Sequence, residues 1–208
     1  MSLSELRRSG VVLQEFQVRY CEDDFVENLA FQIPDYFRED LALMLRDGMV
    51  DNSEYAICEN LIYPVMKEVW KIYRQDFILW SHQALTFDNR LTGFPEYILA
   101  HRSPLGKVVF DKPYLLLVEA KLDNFEAAWA QCLSEMIAAQ RLNQEAPIVV
   151  FGIASNGRTW QFGKLEGDRF TRHVIPYSIY DLDALFGAVH YVFQQCGNQL
   201  GRYVAIAV

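Results

Sequence analysis

The order of apolar, polar and turn-forming stretches predicts an α/β protein in which helices flank a mixed β-sheet. One stretch carries apolar residues at every fourth position, as on one face of a helix, at Ile57, Leu61, Val65 and Val69. Residues 114–118 form an uninterrupted apolar run, which is typical of a buried strand. The dipeptide Asn156-Gly157 between two apolar stretches predicts a β-hairpin. Both kinds of element are therefore expected in one fold.

The first half of the chain contains signals for two helices and several strands. Residues 11–20 mix apolar and polar side chains and are predicted to form a strand. A helix is expected from Pro34-Asp35 to about Asp47, because Gly48 can end it. Ser53 is a candidate N-cap for a longer helix that runs to about residue 73. Three further strands are expected around a turn at residues 103–106, over residues 77–87, 94–102 and 107–110.

The second half begins with the apolar strand, which ends at Lys121. Asp123 and Glu126 resemble a capping box for a helix over residues 124–142. A buried strand over residues 147–154 leads into the hairpin. The return strand, a further strand and a last helix opened by Ser178 are expected over residues 159–164, 170–175 and 178–195. A C-terminal β-hairpin and helix are thus added to the mixed sheet.

Length and composition favour one domain over residues 1–208. We divide it into an acidic N-terminal extension (1–50), a core (51–165) and a C-terminal strand and helix (166–208). Residues 1–60 hold 13 acidic and 5 basic residues, which favours a protein partner or a homodimer through this region. The apolar runs are too short to span a bilayer, and four widely spaced cysteines favour the reducing cytoplasm. Scattered histidines argue against a zinc site.

Charged residues at the end of the apolar strand are the first candidates for a functional site. Side chains alternate along a strand, so Glu119 and Lys121 point the same way, roughly 7 Å apart. An unpaired charge on a central strand is costly, which suggests a site for a metal ion and a phosphate. A second acid, Glu96, follows Gly93 and Pro95 on the preceding predicted strand. Pro95 lacks an amide donor and therefore belongs at a strand edge or start.

The elements Pro95-Glu96 and Glu119-Ala120-Lys121, followed by a helix that carries Gln131, resemble the PD-(D/E)XK nuclease superfamily. The resemblance covers roughly residues 50–165 and implies a restriction-endonuclease-like core, similar to nuclease-like domains of restriction systems. Two departures are present. Glu96 stands where the superfamily usually has Asp, and Glu135 stands where many members have Tyr one turn after the Gln.

The superfamily also places an acid on the helix before the sheet, and two candidates exist. Glu54 and Glu59 lie about 140° apart around a helix, so only one of them can face the site. Glu59 shares an apolar stripe with residues 62, 63, 66 and 70, and an acid on such a stripe needs a partner. Glu54 lies at the helix start, where the helix dipole alone explains a negative charge. We favour Glu59 and keep Glu54 as the alternative.

The resemblance implies a Mg²⁺-dependent endonuclease that hydrolyses DNA phosphodiester bonds, with Mn²⁺ as a possible substitute. Glu96, Glu119, the carbonyl of Ala120 and Glu59 or Glu54 would hold the metal. Lys121 would position or deprotonate the attacking water, and Gln131 would orient Lys121 or a phosphate oxygen. The alternative is a nuclease-fold binding or regulatory protein that has little turnover and acts through a protein partner.

Overall fold

Eight strands form the central sheet, and helices cover both of its faces, which confirms the predicted α/β class. The structure is a computed structural model that describes residues 8–144 and 148–206. The sheet strands are β1 (Arg19–Asp23), β2 (Phe77–Ser81), β5 (Tyr97–Arg102), β6 (Phe110–Ala120), β7 (Val150–Ser155), β8 (Thr159–Glu166), β9 (Arg169–His173) and β10 (Tyr177–Ser178). Two short strands, β3 (Leu85–Thr86) and β4 (Thr92–Gly93), form a separate ribbon.

The strand order across the sheet is β1-β9-β8-β7-β6-β5-β2, and β10 pairs with β8. The pairs β1/β9 and β6/β7 are parallel, whereas the other neighbours are antiparallel. β2 is therefore one edge of the sheet and β1 is the other. The two strands expected to carry the site, β5 and β6, are central neighbours, and because they are antiparallel the start of β5 lies beside the end of β6.

In the described part of the chain, six α-helices and one π-helical turn pack around the sheet. They are α1 (Ser9–Phe16), α2 (Asp35–Asp47), α3 (Glu54–Ile57), the π-helical turn (Cys58–Ile62), α4 (Tyr63–Tyr73), α5 (Phe125–Asn143) and α6 (Leu182–Ile206). Side chains near the end of β6 alternate between the two layers on either side of the sheet. Leu117 packs with α1 and α5, whereas Val118 and Ala120 pack with α4 and α6. By strand alternation, Glu119 points toward α5.

The prediction of a strand over residues 11–20 is wrong for its first part. Residues 9–16 form α1, and only Arg19 and Tyr20 of the predicted stretch belong to a strand. Tertiary contacts override the local pattern here. Val12 is fully buried in the layer that α5 forms, and the Ser9 amide and hydroxyl both donate to Glu126 Oε1, over 2.8 and 2.9 Å.

The acidic N-terminal region is built into the sheet and the core. β1 pairs with β9, and α2 buries Phe37 and Leu41 in the main core cluster. The helix predicted from Asp35 to Asp47 is confirmed at both ends, with Gly48 as its C-cap. Residues 1–7 of the proposed extension lie outside the described residues.

Several strand and cap predictions need correction. The strand expected over residues 77–87 ends at Ser81. The strand expected over residues 94–102 begins only at Tyr97, and residues 107–109 form a turn instead of a strand. Asn124, not Asp123, caps α5, because its side chain accepts from the Ala127 amide over 2.9 Å. Ser178 pairs in β10 instead of opening the last helix. The predicted strand start at residue 147 lies outside the described part of the chain.

In the described ranges, none of the helices is both long and apolar enough to cross a bilayer.

The helix predicted from Ser53 to residue 73 is confirmed in extent, although a π-helical turn interrupts it. Its apolar face is confirmed as well, because Ile57, Leu61, Val65 and Val69 are all buried.

Candidate functional site

Glu96 and Glu119 lie opposite each other, where the start of β5 meets the end of β6. Tyr97 on β5 pairs with Val118 on β6. One step further in this register, Glu96 faces Glu119, and opposed residues of an antiparallel pair have Cβ atoms about 4.5–5.5 Å apart. Glu96 immediately precedes β5, and Glu119 is the second-last residue of β6. The fold therefore brings together two acids that are distant in the sequence.

Glu119 is a buried carboxyl group that receives no hydrogen bond from a donor group. It is 0 % exposed, no N–H or O–H among the described residues donates to its oxygens, and the carboxyl group of Glu135 lies within hydrogen-bonding reach, so the two groups can share a proton. Burial raises the pKa of Glu119 well above its ordinary value, and the negative charge of Glu135 raises it further, against the opposing effect of Lys121. A carboxylate in such surroundings requires either a proton or a cation.

Glu135 on α5 is a site residue that the sequence analysis did not include among its candidates. Its side chain is buried, and burial raises its pKa to about 7, with a further contribution from the charge of Glu96. Gln131, one turn earlier, donates to Glu135 Oε1 over 3.5 Å. The signal that could have identified Glu135 was this four-residue spacing from Gln131, which puts both side chains on one helix face.

Gly93 makes room for the Glu135 carboxyl group. A Cβ atom at Gly93 would lie 2.5 Å from Glu135 Oε1, well inside van der Waals contact. The group that Gly93 approaches is the carboxyl group that completes a cluster with Glu96 and Glu119. We call these three side chains, Glu96, Glu119 and Glu135, the carboxylate cluster.

Lys121 lies at the exposed side of the carboxylate cluster and binds an acid from the helix. Its Nζ atom donates to Glu54 Oε2 over 3.1 Å, and the two side chains are 23 % and 39 % exposed. Burial lowers the pKa of Lys121, but the charges of Glu119 and Glu54 outweigh this effect and raise it above its ordinary value. Lys121 is therefore a cation here, suited to binding a phosphate oxygen rather than to removing a proton.

The preference for Glu59 over Glu54 is corrected by this contact. Ser53 Oγ accepts from the Ala56 amide over 3.1 Å and starts the helix so that Glu54 reaches Lys121. Glu59 is exposed and lines a hollow together with His82 and Tyr97. The stripe argument assumed a regular α-helix, but Cys58–Ile62 is a π-helical turn, which changes the angular spacing of the side chains that follow.

The Asn156-Gly157 hairpin holds the helix and the end of β6 in place. Gly157 has φ +80°, and a Cβ atom there would lie 2.6 Å from Leu61 Cδ1, so the hairpin packs directly on the helix. The Lys121 amide donates to the Ser155 carbonyl over 3.1 Å, beside the same hairpin. Trp160 is fully buried and donates from Nε1 to the Gly157 carbonyl over 3.0 Å. The hairpin thereby positions both Glu54 and Lys121.

His82 closes the other side of the carboxylate cluster. Its Nε2 atom lies 2.7 Å from Glu96 Oε2, and its Nδ1 atom shares a hydrogen bond of 2.8 Å with Ser81 Oγ. His82 has φ +50°, a left-handed conformation that is uncommon for a residue with a side chain. Such conformations persist where surrounding contacts impose them, and they cluster at functional sites. The sequence analysis did not include His82 among its site residues.

The carboxylate cluster supplies hard oxygen donors of the kind that Mg²⁺ prefers. Glu119 and Glu135 offer buried oxygens that lack partners, and Ala120 contributes only its carbonyl, because its side chain packs in the opposite core layer. Within residues 8–144 and 148–206, no three His, Cys, Asp or Glu side chains stand together as a complete metal-binding group. The donor chemistry therefore fits a divalent cation, whereas a full set of ligands is not arranged in advance.

No protein-family model matches this chain, and no curated protein matches its sequence. The resemblance to the PD-(D/E)XK nucleases therefore remains a hypothesis. It rests on the motif residues Glu96, Glu119 and Lys121 and on their placement at one edge of a mixed sheet.

Proposed function

We propose that this chain is a metal-dependent nuclease that hydrolyses DNA phosphodiester bonds. The observation that carries the proposal is Glu119, a fully buried carboxyl group that no N–H or O–H of the described residues donates to, opposite Glu96, next to Glu135 and two residues before Lys121. When they are ionised, the carboxylates of the cluster repel each other, and a divalent cation would relieve that repulsion.

Each side chain has a role that follows from its place. Glu96, Glu119 and the carbonyl of Ala120 would hold Mg²⁺ or Mn²⁺, with Glu135 as an additional carboxylate. A bound divalent ion would polarise the phosphodiester and lower the pKa of its bound water. Lys121 stays charged and would hydrogen-bond a phosphate oxygen, while Glu54 holds its ammonium group in position. Gln131 would orient Glu135 through their hydrogen bond.

The phosphodiester would approach from the side on which Lys121 and Glu54 are partly exposed. Glu119 and Glu135 lie behind them and are closed off from solvent. The proposed site thus has buried carboxyl groups at its base and one partly exposed ammonium group, that of Lys121, at its opening. An anionic substrate would meet Lys121 first. Of the acidic residues in positions 1–60, Glu54 is the one that forms an ion pair with Lys121 among the described contacts.

A second candidate is a nuclease-fold binding or regulatory protein with little turnover. The observation that favours it is the absence, from the described residues, of a ready-made three-residue metal group. Two departures support it as well, since Glu96 replaces the usual Asp and Glu135 replaces the usual Tyr. The acidic N-terminal region would then serve a protein partner or a homodimer.

Calorimetry and plasmid nicking distinguish the two functions. We expect the wild-type protein to bind Mn²⁺ or Mg²⁺ and to nick plasmid DNA, and Glu119→Gln to lose the metal uptake. Lys121→Ala should reduce nicking by about 100-fold or more, the scale of losing one group that stabilises transition-state charge. Lys112→Ala is the matched control, because Lys112 is exposed at the opposite end of the same strand. No metal uptake by the wild type, or nicking unchanged in Lys121→Ala, would contradict the nuclease proposal.

A further inference from the structure

A groove lies along the edge strand β2 and is lined at one end by His82, which contacts Glu96 of the carboxylate cluster. Its inner part is a hollow of about 350 Å³ between α3, the π-helical turn and β2. Its outer part is a hollow of about 250 Å³ beside α4. The two parts share Tyr63 and Leu79, so they are continuous. We call them together the β2 groove, defined by Tyr55, Tyr63, Leu79, His82, Arg102 and Lys107.

Two stacked aromatic pairs line the inner part of the β2 groove. Tyr55 is 69 % exposed, and its ring stacks on His82 with centroids 5.9 Å apart and planes 29° apart. Tyr63 is 37 % exposed and stacks on Tyr97, with centroids 5.7 Å apart and planes 24° apart. Each pair holds a tyrosine ring in place, with Tyr55 largely exposed and Tyr63 partly exposed, so a base that stacks on Tyr63 takes the place of the Lys67 ammonium that lies over this ring. Aromatic rings held in this way are the usual platform for unpaired nucleobases.

The inner end of the β2 groove adjoins the carboxylate cluster. His82, which stacks on Tyr55, lies 2.7 Å from Glu96 through its Nε2 atom. Tyr97, which stacks on Tyr63, directly follows Glu96 in the chain. A nucleotide whose base stacks on Tyr55 would therefore have its sugar and phosphate near Glu96, because His82 contacts both that ring and that acid.

The charges of the β2 groove differ between its two ends. Lys67 places its ammonium 5.5 Å from the centre of the Tyr63 ring, and Arg102 and Lys107 line the outer part. Glu59 lines the inner part and would repel a phosphate there, so a base rather than a phosphate suits that stretch. Phosphates of a bound strand would instead follow the basic outer part, as in grooves that track a nucleic-acid backbone.

Resting on the proposed nuclease function, we propose that the β2 groove binds single-stranded DNA, with bases stacked on Tyr55 and Tyr63. The strand enters past Arg102 and Lys107 and presents a phosphodiester to Glu96 and Lys121. A duplex does not fit this description, because its bases are already paired and stacked and offer no free face to the tyrosines. The substrate class of the site is therefore single-stranded DNA or the unpaired end of a duplex.

Fluorescence anisotropy in EDTA tests this proposal separately from cleavage. The probes are a short labelled DNA strand of mixed sequence and the duplex formed with its complement, both titrated with the full-length protein. We expect the single strand to bind at least about tenfold more tightly than the duplex. Tyr55→Ala and Tyr63→Ala should each weaken single-strand binding at least about fivefold, the low end of what stacking of one base contributes.

Conservative and distant variants complete the experiment. Tyr55→Phe and Tyr63→Phe keep the ring and should bind as the wild type does. Tyr20→Ala is the matched control, because Tyr20 is an exposed tyrosine on β1, the opposite edge of the sheet. Circular dichroism of each variant establishes that it is folded. Equal affinity for single strand and duplex, alanine variants that bind like the wild type, or an equal loss in Tyr20→Ala would each overturn the proposal. Because EDTA prevents metal-dependent cleavage, this experiment measures binding alone. A wild-type protein that fails to nick DNA would contradict the proposed nuclease function without changing the binding result.

Discussion

The buried carboxyl group of Glu135 should make the metal-free protein less stable as the pH rises. Its pKa lies at about 7 rather than at its ordinary 4.5. Between these values the folded protein holds a proton that the unfolded chain has lost, so the free energy of unfolding falls as pH increases across this window. One pKa unit corresponds to about 1.4 kcal/mol, so ionising Glu135 in the folded protein costs about 3 kcal/mol in full. The raised pKa of Glu119 acts in the same direction.

Glu135→Gln removes this cost while keeping the size and shape of the side chain. In EDTA at about pH 8, the variant should therefore be more stable than the wild type, by up to about 3 kcal/mol. At about pH 4.5 or below, both side chains are neutral, and the difference should be small. Urea unfolding followed by tryptophan fluorescence at a series of pH values measures it. Glu166→Gln is the control, because Glu166 is exposed at the end of β8.

A stability difference between Glu135→Gln and the wild type that does not change with pH would refute the claim that ionising buried Glu135 destabilises the protein. A variant that is less stable than the wild type at about pH 8 would refute it as well. The same measurement bears on the metal. A divalent cation at about 100 times its dissociation constant would raise wild-type stability by about 2.7 kcal/mol. A wild-type protein that gains nothing from Mg²⁺ or Mn²⁺ at this pH would favour the binding-protein alternative.

Two further predictions concern positions that hold the site and its helix. Gly93→Ala should destabilise the protein by about 1–3 kcal/mol, because the new Cβ atom would clash with Glu135 Oε1. Gly10→Ala is the control, because a Cβ atom at Gly10 meets no neighbour. Urea unfolding measures both variants, and equal midpoints would contradict the predicted clash. Asn143→Ala should lower the free energy of unfolding by about 2–4 kcal/mol, because the buried Asn143 side chain accepts from the Tyr114 amide over 2.8 Å and donates to the Tyr114 carbonyl over 2.9 Å. Thermal or urea unfolding measures this loss. A loss as small as that of Asn52→Ala, at an exposed position, would refute the prediction.

The proximity of Glu96 and Glu119 illustrates what could be predicted from local pattern. Both acids were expected at one site because Pro95-Glu96 and Glu119-Ala120-Lys121 resemble the nuclease motif, whereas the antiparallel pairing of their strands was not predicted. The register that sets Glu96 opposite Glu119 follows from the pairing of Tyr97 with Val118. The choice between Glu54 and Glu59 could not be made in this way. It depended on the π-helical turn, and nothing in residues 54–63 distinguishes that turn from an ordinary helix.

Glu135 and His82 required the packed structure for a different reason. A glutamate in the middle of a helix is most often exposed, and Glu135 is buried only because α5 lies across β6 with Gly93 next to it. His82 follows β2 in a left-handed conformation, which brings its ring to Glu96. Both placements arise from contacts between segments that are far apart in the chain.

The sequence alone therefore determined the α/β class and most of the helices and strands, because periodicity and turn chemistry act over a few neighbouring residues, and its motif resemblance singled out Glu96 and Glu119. Tertiary structure decided that residues 9–16 are a helix, that Glu54 pairs with Lys121 and that a third carboxyl group completes the cluster. Those outcomes depend on which surfaces meet after folding, and the free energy of such long-range contacts exceeds the local preferences that a sequence pattern reports.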